Sequence, residues 1–498
     1  MRENRFNMRM VEENISIHDK YQFELKYAYP LDLARPQAEY AVESFLFIPN
    51  NLGVSPQSYS RADFNNDMQK YIRLGTPKMY LHAIFDGVGC PLKKIKESME
   101  LLCGDPGNEH AVSEYFYHVK MFCSIVKSAM RDEESYIESL PPGEDRRQVI
   151  ERYLEHVEKL LESFRKLKML AHATHVNKKI ASFYCLADEY LSLISEKHLC
   201  CLICFLRDSK SKYSQAFSER AVKKLRFELD YRRKNHYPSI PVKNGSNEET
   251  LYRQRILKKI MGSILFLKTS VRTEGRLLEQ IVSGVAAGLA MLFATISLFL
   301  SRRFFADLTL SLLFVLVISY VFKDRIKELT RLYMVSWIRK RLYDYKTELR
   351  TNMDVKIGIC RELFAFVDEQ NLPPEIIKIR NKDYLGELDN GYAPENILYS
   401  KKQIRIFSKP CRKLFADLQA DGVIDIIRID VRNFMKKMDN PRKILFVPDG
   451  DDNIEPVKGD SVYHLNLILK YQMEKNSEYR KFRIVLNRSG IKRIVADN

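Results

Sequence analysis

Hydrophobic positions change period several times along this chain. Near the start, Tyr21, Phe23, Leu25 and Tyr27 alternate with Gln22, Glu24 and Lys26, the period of a half-buried strand. Ala41 to Ile48 is a second predicted strand, ended by Pro49-Asn50-Asn51. The stretch SRADFNNDMQKYIRLGTP then predicts a short helix, with Ser60 as its N-terminal cap, Gly75 just past its end and Pro77 blocking continuation.

From Pro91 to Asn235 the period becomes helical. Ile150, Leu154, Val157, Leu161, Phe164 and Ala171 recur at helical spacing with charged residues between them, one apolar stripe for bundle or coiled-coil packing. Asp105-Pro106-Gly107-Asn108 and Leu140-Pro141-Pro142-Gly143 interrupt the pattern, so a bundle of four to six helices is expected. His236 to Thr250 is rich in turn formers and reads as a linker. The helix expected next sets Tyr252, Ile256, Ile260 and Ile264 opposite Arg255, Lys258 and Lys259. Such a stripe serves either a membrane surface or the bundle.

Ile281 to Leu300 is 20 residues without a charge, and about 20 helical residues cover the roughly 30 Å apolar core of a bilayer. Phe304 to Phe322 is a second apolar run, with Asp307 as its only ionisable residue. Little more than Ser301-Arg302-Arg303 separates them, which predicts an antiparallel transmembrane hairpin. Gly284 and Gly288 are four apart in the first run and predict close helix packing in the membrane, within the hairpin first and in a homo-oligomer as the alternative.

Beyond the hairpin, Lys323 to Arg350 is expected to continue as a basic helix, and then period 2 returns. Ile427, Ile429 and Val431 alternate with polar residues, as do Phe482, Ile484 and Leu486, and Tyr463 to Tyr471 also reads as a strand. Asn487-Arg488-Ser489-Gly490 predicts a hairpin turn. The fold class expected is an α+β membrane protein. Its parts are a mixed N-terminal element (1–90), a cytoplasmic helical bundle (91–235), a linker (236–250), an amphipathic juxtamembrane helix (251–280), the hairpin (281–322), a basic helix (323–350) and a C-terminal antiparallel β domain with one wet face (351–498).

Composition changes this picture in one respect. A formal charge of +17 over 498 residues suggests nucleic acid, but the charge is concentrated beside the apolar runs. Seven basic residues against two acidic ones lie between Arg253 and Gln280, and eight against three between Lys323 and Lys346. Arg255, Lys258, Lys259, Arg272, Arg276, Lys323, Arg325, Lys327 and Arg331 are therefore expected to face anionic lipid headgroups, which attract such segments by about 1 kcal/mol per residue. Positive flanks stay cytoplasmic, so two spans with both termini in the cytoplasm are expected, and nucleic acid loses its main support. The nine scattered cysteines and the polar start favour reduced thiols and no signal peptide.

Candidate chemistry is sparse. Cys201-x-x-Cys204 has a redox or zinc spacing but sits in an apolar run without further ligands, and is expected to be buried core. His172-x-x-His175 lacks the glutamate of a zinc-protease motif. Asp449 to Asn453 has its glycine in the wrong place for a calcium loop, and reads as an acidic turn. No phosphate-binding glycine loop or nucleophile elbow is present, and no motif implies a cofactor. The expectation is a non-enzymatic scaffold, adaptor or sensor at the membrane, with a protein partner on its helical or β part. A membrane-associated enzyme acting on a lipid or nucleotide and an oligomeric pore are the alternatives.

Overall fold

A computed structural model describes residues 15–497 apart from 32–34, 88, 174–177, 210–212, 305–309, 340–341, 353, 383–394, 416–421, 450–452 and 474–475. The chain forms two units. One gathers residues 1–72, 268–412 and 425–498; the other holds 73–267 and 413–424.

The first unit begins with β1 (Ile15–Ile17), β2 (Gln22–Pro30) and β3 (Gln37–Pro49). As the alternation requires, Phe23, Leu25 and Tyr27 are buried on β2, together with Tyr29. Helix α1 (Arg61–Asp67) carries the expected Ser60 cap, in a reciprocal capping box with Asp63. It stops seven residues early: Met68–Leu74 is strand β4, not the rest of a helix. Pairing of β4 beside β9 outweighs the local helical signal.

The helical unit contains α2 (Pro91–Gly104), α3 (Glu109–Ser139), α4 (Glu144–Arg165), α5 (Lys168–Ala171), α6 (Lys178–Asp208), α7 (Ser214–Lys234) and α8 (Glu248–Gly262). The breaks fall where Pro and Gly place them, and Asn108 accepts from the Ala111 N–H to start α3. The stripe from Ile150 to Phe164 is buried, with each of its members at most 5% exposed. Helix α8 rests on α3 and α6 and buries Leu257 and Met261. The row that packs on the bundle is thus Leu257, Met261 and Leu265, beside the predicted stripe, of which Tyr252 is 65% exposed and Ile256, Ile260 and Ile264 are half-buried; Arg255, Lys258 and Lys259 stay exposed.

The expected juxtamembrane helix does not continue to residue 280. The first unit resumes with β5 (Lys268–Thr273), followed by α9 (Arg276–Phe304) and α10 (Leu310–Arg339). The basic segment after the second run also ends as a strand, β6 (Tyr345–Arg350). Both corrections have one cause, since β5 and β6 are antiparallel partners and cover each other's backbone groups. Next come β7 (Lys356–Val367), α11 (Pro374–Arg380), β8 (Glu395–Phe407), α12 (Ser408–Phe415), β9 (Gly422–Asp430) and α13 (Arg432–Met435). Strands β10 (Arg442–Asp449), β11 (Asn453–Asp460), β12 (Tyr463–Met473), β13 (Asn476–Asn487) and β14 (Gly490–Asp497) complete the chain.

Pairing joins what the sequence separates. An eight-stranded antiparallel sheet runs β14-β13-β12-β3-β8-β7-β6-β5, and a second sheet runs β1-β2-β9-β4. The N-terminal strands thus share the sheets of the C-terminal region and form no element of their own. Nor does the large sheet have a wet face along its middle strands. On one side Phe45, Phe47, Ile397 and Ile468 pack with Leu372 and Ile376 of the α11 region. On the other, Tyr27 meets Tyr471 and Tyr29 meets Tyr40 across the two sheets, with ring centres 5.8 and 5.4 Å apart. The turn at Asn487–Gly490 is as expected, and Gly490 takes a positive φ of 138° there.

Candidate functional site

Among the described residues one helix is long and apolar enough to cross a membrane, Leu278–Ser301. Its apolar side chains are largely uncovered: Ile281, Met291 and Phe299 are 60%, 61% and 72% exposed, the reverse of a soluble core helix. In the second run, residues 305–309 lie outside the described residues. In the described part of α10, Leu310, Leu313, Phe314, Val317, Ile318 and Phe322 are exposed, and Lys323, Asp324, Arg325 and Lys327 follow within the same helix. By length and composition it does not qualify as a second span, so the two-span expectation is reduced to one helix.

Helices α9 and α10 pack on each other, but not through Gly284 and Gly288: a Cβ built at either glycine meets nothing within 4 Å. Among the described residues, the covered apolar side chains of α9 are Val282, Ala286 and Ala290, also four apart, the two alanines being small enough for close approach. The hydroxyls of Ser283, Thr295 and Ser301 donate to the carbonyls of Glu279, Met291 and Ser297 one turn back, at 2.9, 2.9 and 2.6 Å. They are spent within their own helix.

The strands that flank the helices in the chain carry some of the basic residues. Arg272 is on β5, directly opposite Lys346 of β6, and Arg276 opens α9. On α10, Lys323 sits over the Tyr320 ring at 3.9 Å, Arg331 donates to Glu328 at 2.9 Å, and Arg325 and Lys327 are exposed. Arg255, Lys258 and Lys259 belong to the other unit, so the predicted basic set is divided.

Two charged clusters had no signal in the sequence. In the β unit, a seam of alternating charge links the two sheets. Lys70 of β4 contacts Glu362 of β7 at 2.7 Å, Lys402 of β8 contacts Glu362 at 3.4 Å and also pairs closely with Asp425 of β9, and Tyr29 of β2 donates to Asp425 at 3.5 Å. Asp425 and Lys402 are 0% and 8% exposed at the side chain. Burial pushes the Asp425 carboxyl up, with Lys402 offsetting part of the rise. Burial works against a charged Lys402, but Asp425, Cys360 and Glu362 outweigh it and raise its pKa. Glu362 is lowered, since Lys402 and Lys70 overcome its own burial. Oxygen Oδ1 of Asp425 has no hydrogen-bond partner among the described residues, so the seam carries polar capacity beyond that of a neutral core.

In the helical unit the fully buried Asp188 of α6 is the centre. It accepts from Arg165 Nε at 3.2 Å and from the hydroxyls of Tyr231 and Tyr237 at 2.7 and 2.8 Å. The same Arg165 forms a fork with Glu228 of α7 at 2.9 and 2.7 Å, and its guanidinium lies 3.5 Å from the Tyr231 ring centre. This is the bidentate, stacked geometry that arginine suits and lysine does not. Beside it is an open depression of about 710 Å³ lined by Arg165, Lys166, Lys168, Met169 and His172.

The motifs weighed in the sequence are dispersed. Cys201 and Cys204 are exposed, not core. Helix α6 buries Leu199, Leu202, Ile203 and Leu206, and this leaves the thiols on its outer face. His172 lies near Cys185 at 3.9 Å, while His175 is outside the described residues, as is most of the Asp449–Asn453 turn. No group of three or more His, Cys, Asp or Glu among the described residues is placed to hold a metal. With this geometry in view, the chain was compared with known proteins: it matches no family model, no curated protein and no solved structure.

Proposed function

We propose that this chain is a membrane-anchored interaction protein, a scaffold, adaptor or sensor, whose α9 and α10 cross the bilayer as a two-span hairpin. Both termini then lie in the cytoplasm. The observation that carries the reading is the register Thr273 to Tyr345 between β5 and β6. The chain leaves one sheet edge for an exposed apolar helix pair and comes back to the neighbouring strand. An excursion that starts and ends at the same place suits an even number of crossings. The 24 residues of Leu278–Ser301 rise about 36 Å at 1.5 Å each, enough for a hydrocarbon core of about 30 Å. Arg272, Arg276, Lys323, Arg325, Lys327 and Arg331 flank the pair, where anionic headgroups would meet them. Partners would be lipid and another protein bound by the helical or β unit, with nucleic acid disfavoured.

Membranes washed with alkaline carbonate should retain the chain. A cytosol-active reporter should give signal at either terminus and none when inserted at Arg302. Release by carbonate, or signal only from Arg302, overturns the reading.

The depression beside Arg165 favours a second reading, an enzyme acting on a lipid or nucleotide, because its cations suit a phosphate. Arg165 and Lys168 are already bonded to Glu228 and Asn235, so a ligand would have to displace those partners. Turnover of a phosphorylated lipid or nucleotide, lost in Lys166→Glu, would support it. A pore receives less support, since the hydroxyls of Ser283, Thr295 and Ser301 are already bonded to their own helix.

A further inference from the structure

Helices α3, α6 and α8 pack on one another, and each brings a lysine to their junction. The Ser124 hydroxyl of α3 donates to the Met261 carbonyl of α8 at 3.4 Å. Lys127 stands one turn after Ser124, and Lys258 one turn before Met261. On α6, Lys197 precedes His198, which is paired with Glu134 of α3. A fourth cation, Arg73, arrives with the segment laid against the end of α8: the Leu74 N–H donates to the Leu265 carbonyl at 2.7 Å, and Arg73 bridges to Phe266. All four cations belong to the helical unit. Lys197 and Lys258 are exposed, and Lys127 and Arg73 are half-buried.

Charge at the junction is unbalanced. Among the described residues none of the four cations is in an ion pair, and the acids beside them in the chain are engaged elsewhere. Asp132 pairs with Arg131 at 2.7 Å, Glu133 accepts from the Leu81 N–H at 3.3 Å, Glu134 holds His198, and Glu196 pairs with Arg232. Burial, and after it the charges of Lys258, Lys197, Arg73 and Arg131, lower the Lys127 ammonium to about 8. These neighbours are all cations, so the fold holds like charges together at a cost in stability. An anion bound among them returns that stability.

We infer that this junction is a binding site for a compact phosphate polyanion, held by Lys127, Lys197, Lys258 and Arg73. The ligand carries two or more phosphates close together, either free in solution or on a lipid headgroup. Lysine ammoniums and an arginine fork are the donors that phosphate oxygens take. The cations come from four segments and gather around one ammonium, a spot and not a stripe. That suits a small polyanion better than an extended nucleic-acid strand, which needs a groove with stacking rings. The site shares no residue with the depression beside Arg165.

The test uses the full chain in mild detergent, with binding followed by titration calorimetry and folding by circular dichroism. Inorganic pyrophosphate should bind at micromolar concentration, raise the melting temperature and bind more weakly as salt is added. Lys127→Met keeps the apolar stem and removes one like charge. It should raise the melting temperature of the free chain and weaken pyrophosphate binding by about tenfold or more, whereas a lysine of structural role alone would lower that temperature and leave binding unchanged. Lys197→Glu with Lys258→Glu, both exposed positions, should keep the dichroism and abolish binding, and Lys166→Glu, at the other depression, should change nothing. Inositol trisphosphate, a soluble lipid headgroup, separates the sources: tighter binding than pyrophosphate assigns the site to lipid, and weaker binding to a free phosphate. A parent chain that ignores both probes at millimolar concentration, or binding that survives the glutamate pair, would overturn the inference.

Discussion

Thr273 and Tyr345 stand opposite each other in the β5–β6 pair, so the residue that leads into α9 and the residue that follows α10 are neighbours in one sheet. The helix pair is therefore an insertion between two adjacent strands, and an insertion of that kind is removable. Replacing residues 276–339 by a turn of about four residues should give a protein that keeps its β signature and stays in the supernatant after carbonate washing. Aggregation of the shortened chain with loss of the β signal would show that α9 and α10 are needed for the fold itself.

The α9–α10 contact makes opposite demands at two small residues. Ala286 is fully covered, whereas a Cβ at Gly284 meets open space. Ala286→Leu should force the helices apart and cost about 1–3 kcal/mol, seen as a lower melting temperature in detergent. Gly284→Leu should leave that temperature unchanged or raise it, since glycine is a poor helix former. Equal effects at the two positions would place the contact elsewhere.

Removing Arg165 exposes the cost of the buried carboxylates it serves. With Asp188 and Glu228 0% and 4% exposed at the side chain, Arg165→Ala should destabilise the helical unit by about 3–5 kcal/mol. Urea titration of the helical signal reads the loss. Arg165→Lys should recover only part, because one ammonium does not reproduce the fork or the stack on Tyr231.

Acid should loosen the β unit. Burial alone would raise Glu24 and Glu362, yet Arg428 with Lys26, and Lys402 with Lys70, hold them below the usual carboxylate range. A folded-state pKa below the unfolded one gives stability that is complete above the unfolded value, about 4.3 for a glutamate, and is lost as pH falls through the folded value. Asp425 acts in the opposite sense. Its pKa is raised by burial, so its ionised form weakens the fold at neutral pH and protonation gives that stability back on acidification. Thermal melts between pH 3 and 7 should show stability falling below about pH 4, a shallower fall in Glu362→Gln and a steeper one in Asp425→Asn.

Thiol accessibility separates two classes. Cys200, Cys201 and Cys204 are exposed, whereas Cys90, Cys123, Cys360 and Cys411 are buried. Burial raises Cys360 to about 12. A maleimide should label the exposed group in the folded chain and the buried group only after denaturation. Native labelling of Cys360 would contradict its buried place on β7.

Local pattern carried much of the secondary structure here. The alternation at Phe23–Tyr27, the stripe from Ile150 to Phe164, the breaks at Asp105–Asn108 and Leu140–Gly143 and the turn at Asn487–Gly490 all concern residues a few positions apart, where side-chain direction follows backbone period. The same reasoning failed at Met68–Leu74, Lys268–Thr273 and Tyr345–Arg350, three segments where strand pairing overrides the local signal. It failed again at Cys201 and Cys204, where an apolar run does not say which side of the helix the bundle covers.

The charged centres were invisible for a stronger reason. Lys402 reads as one more surface lysine until β9 brings Asp425 to it, and Arg165 as an ordinary helix terminus until Glu228 and Tyr231 arrive from α7. Sequence periodicity alone placed elements such as β2 and α4, and hydropathy alone singled out a long apolar helix with basic flanks. Only the tertiary structure decided that β3 lies between β12 and β8, that the chain returns from α10 beside the strand it left, and which buried charges meet. Those are long-range pairings, and a chain's local pattern does not specify which distant segment will satisfy a given edge or charge.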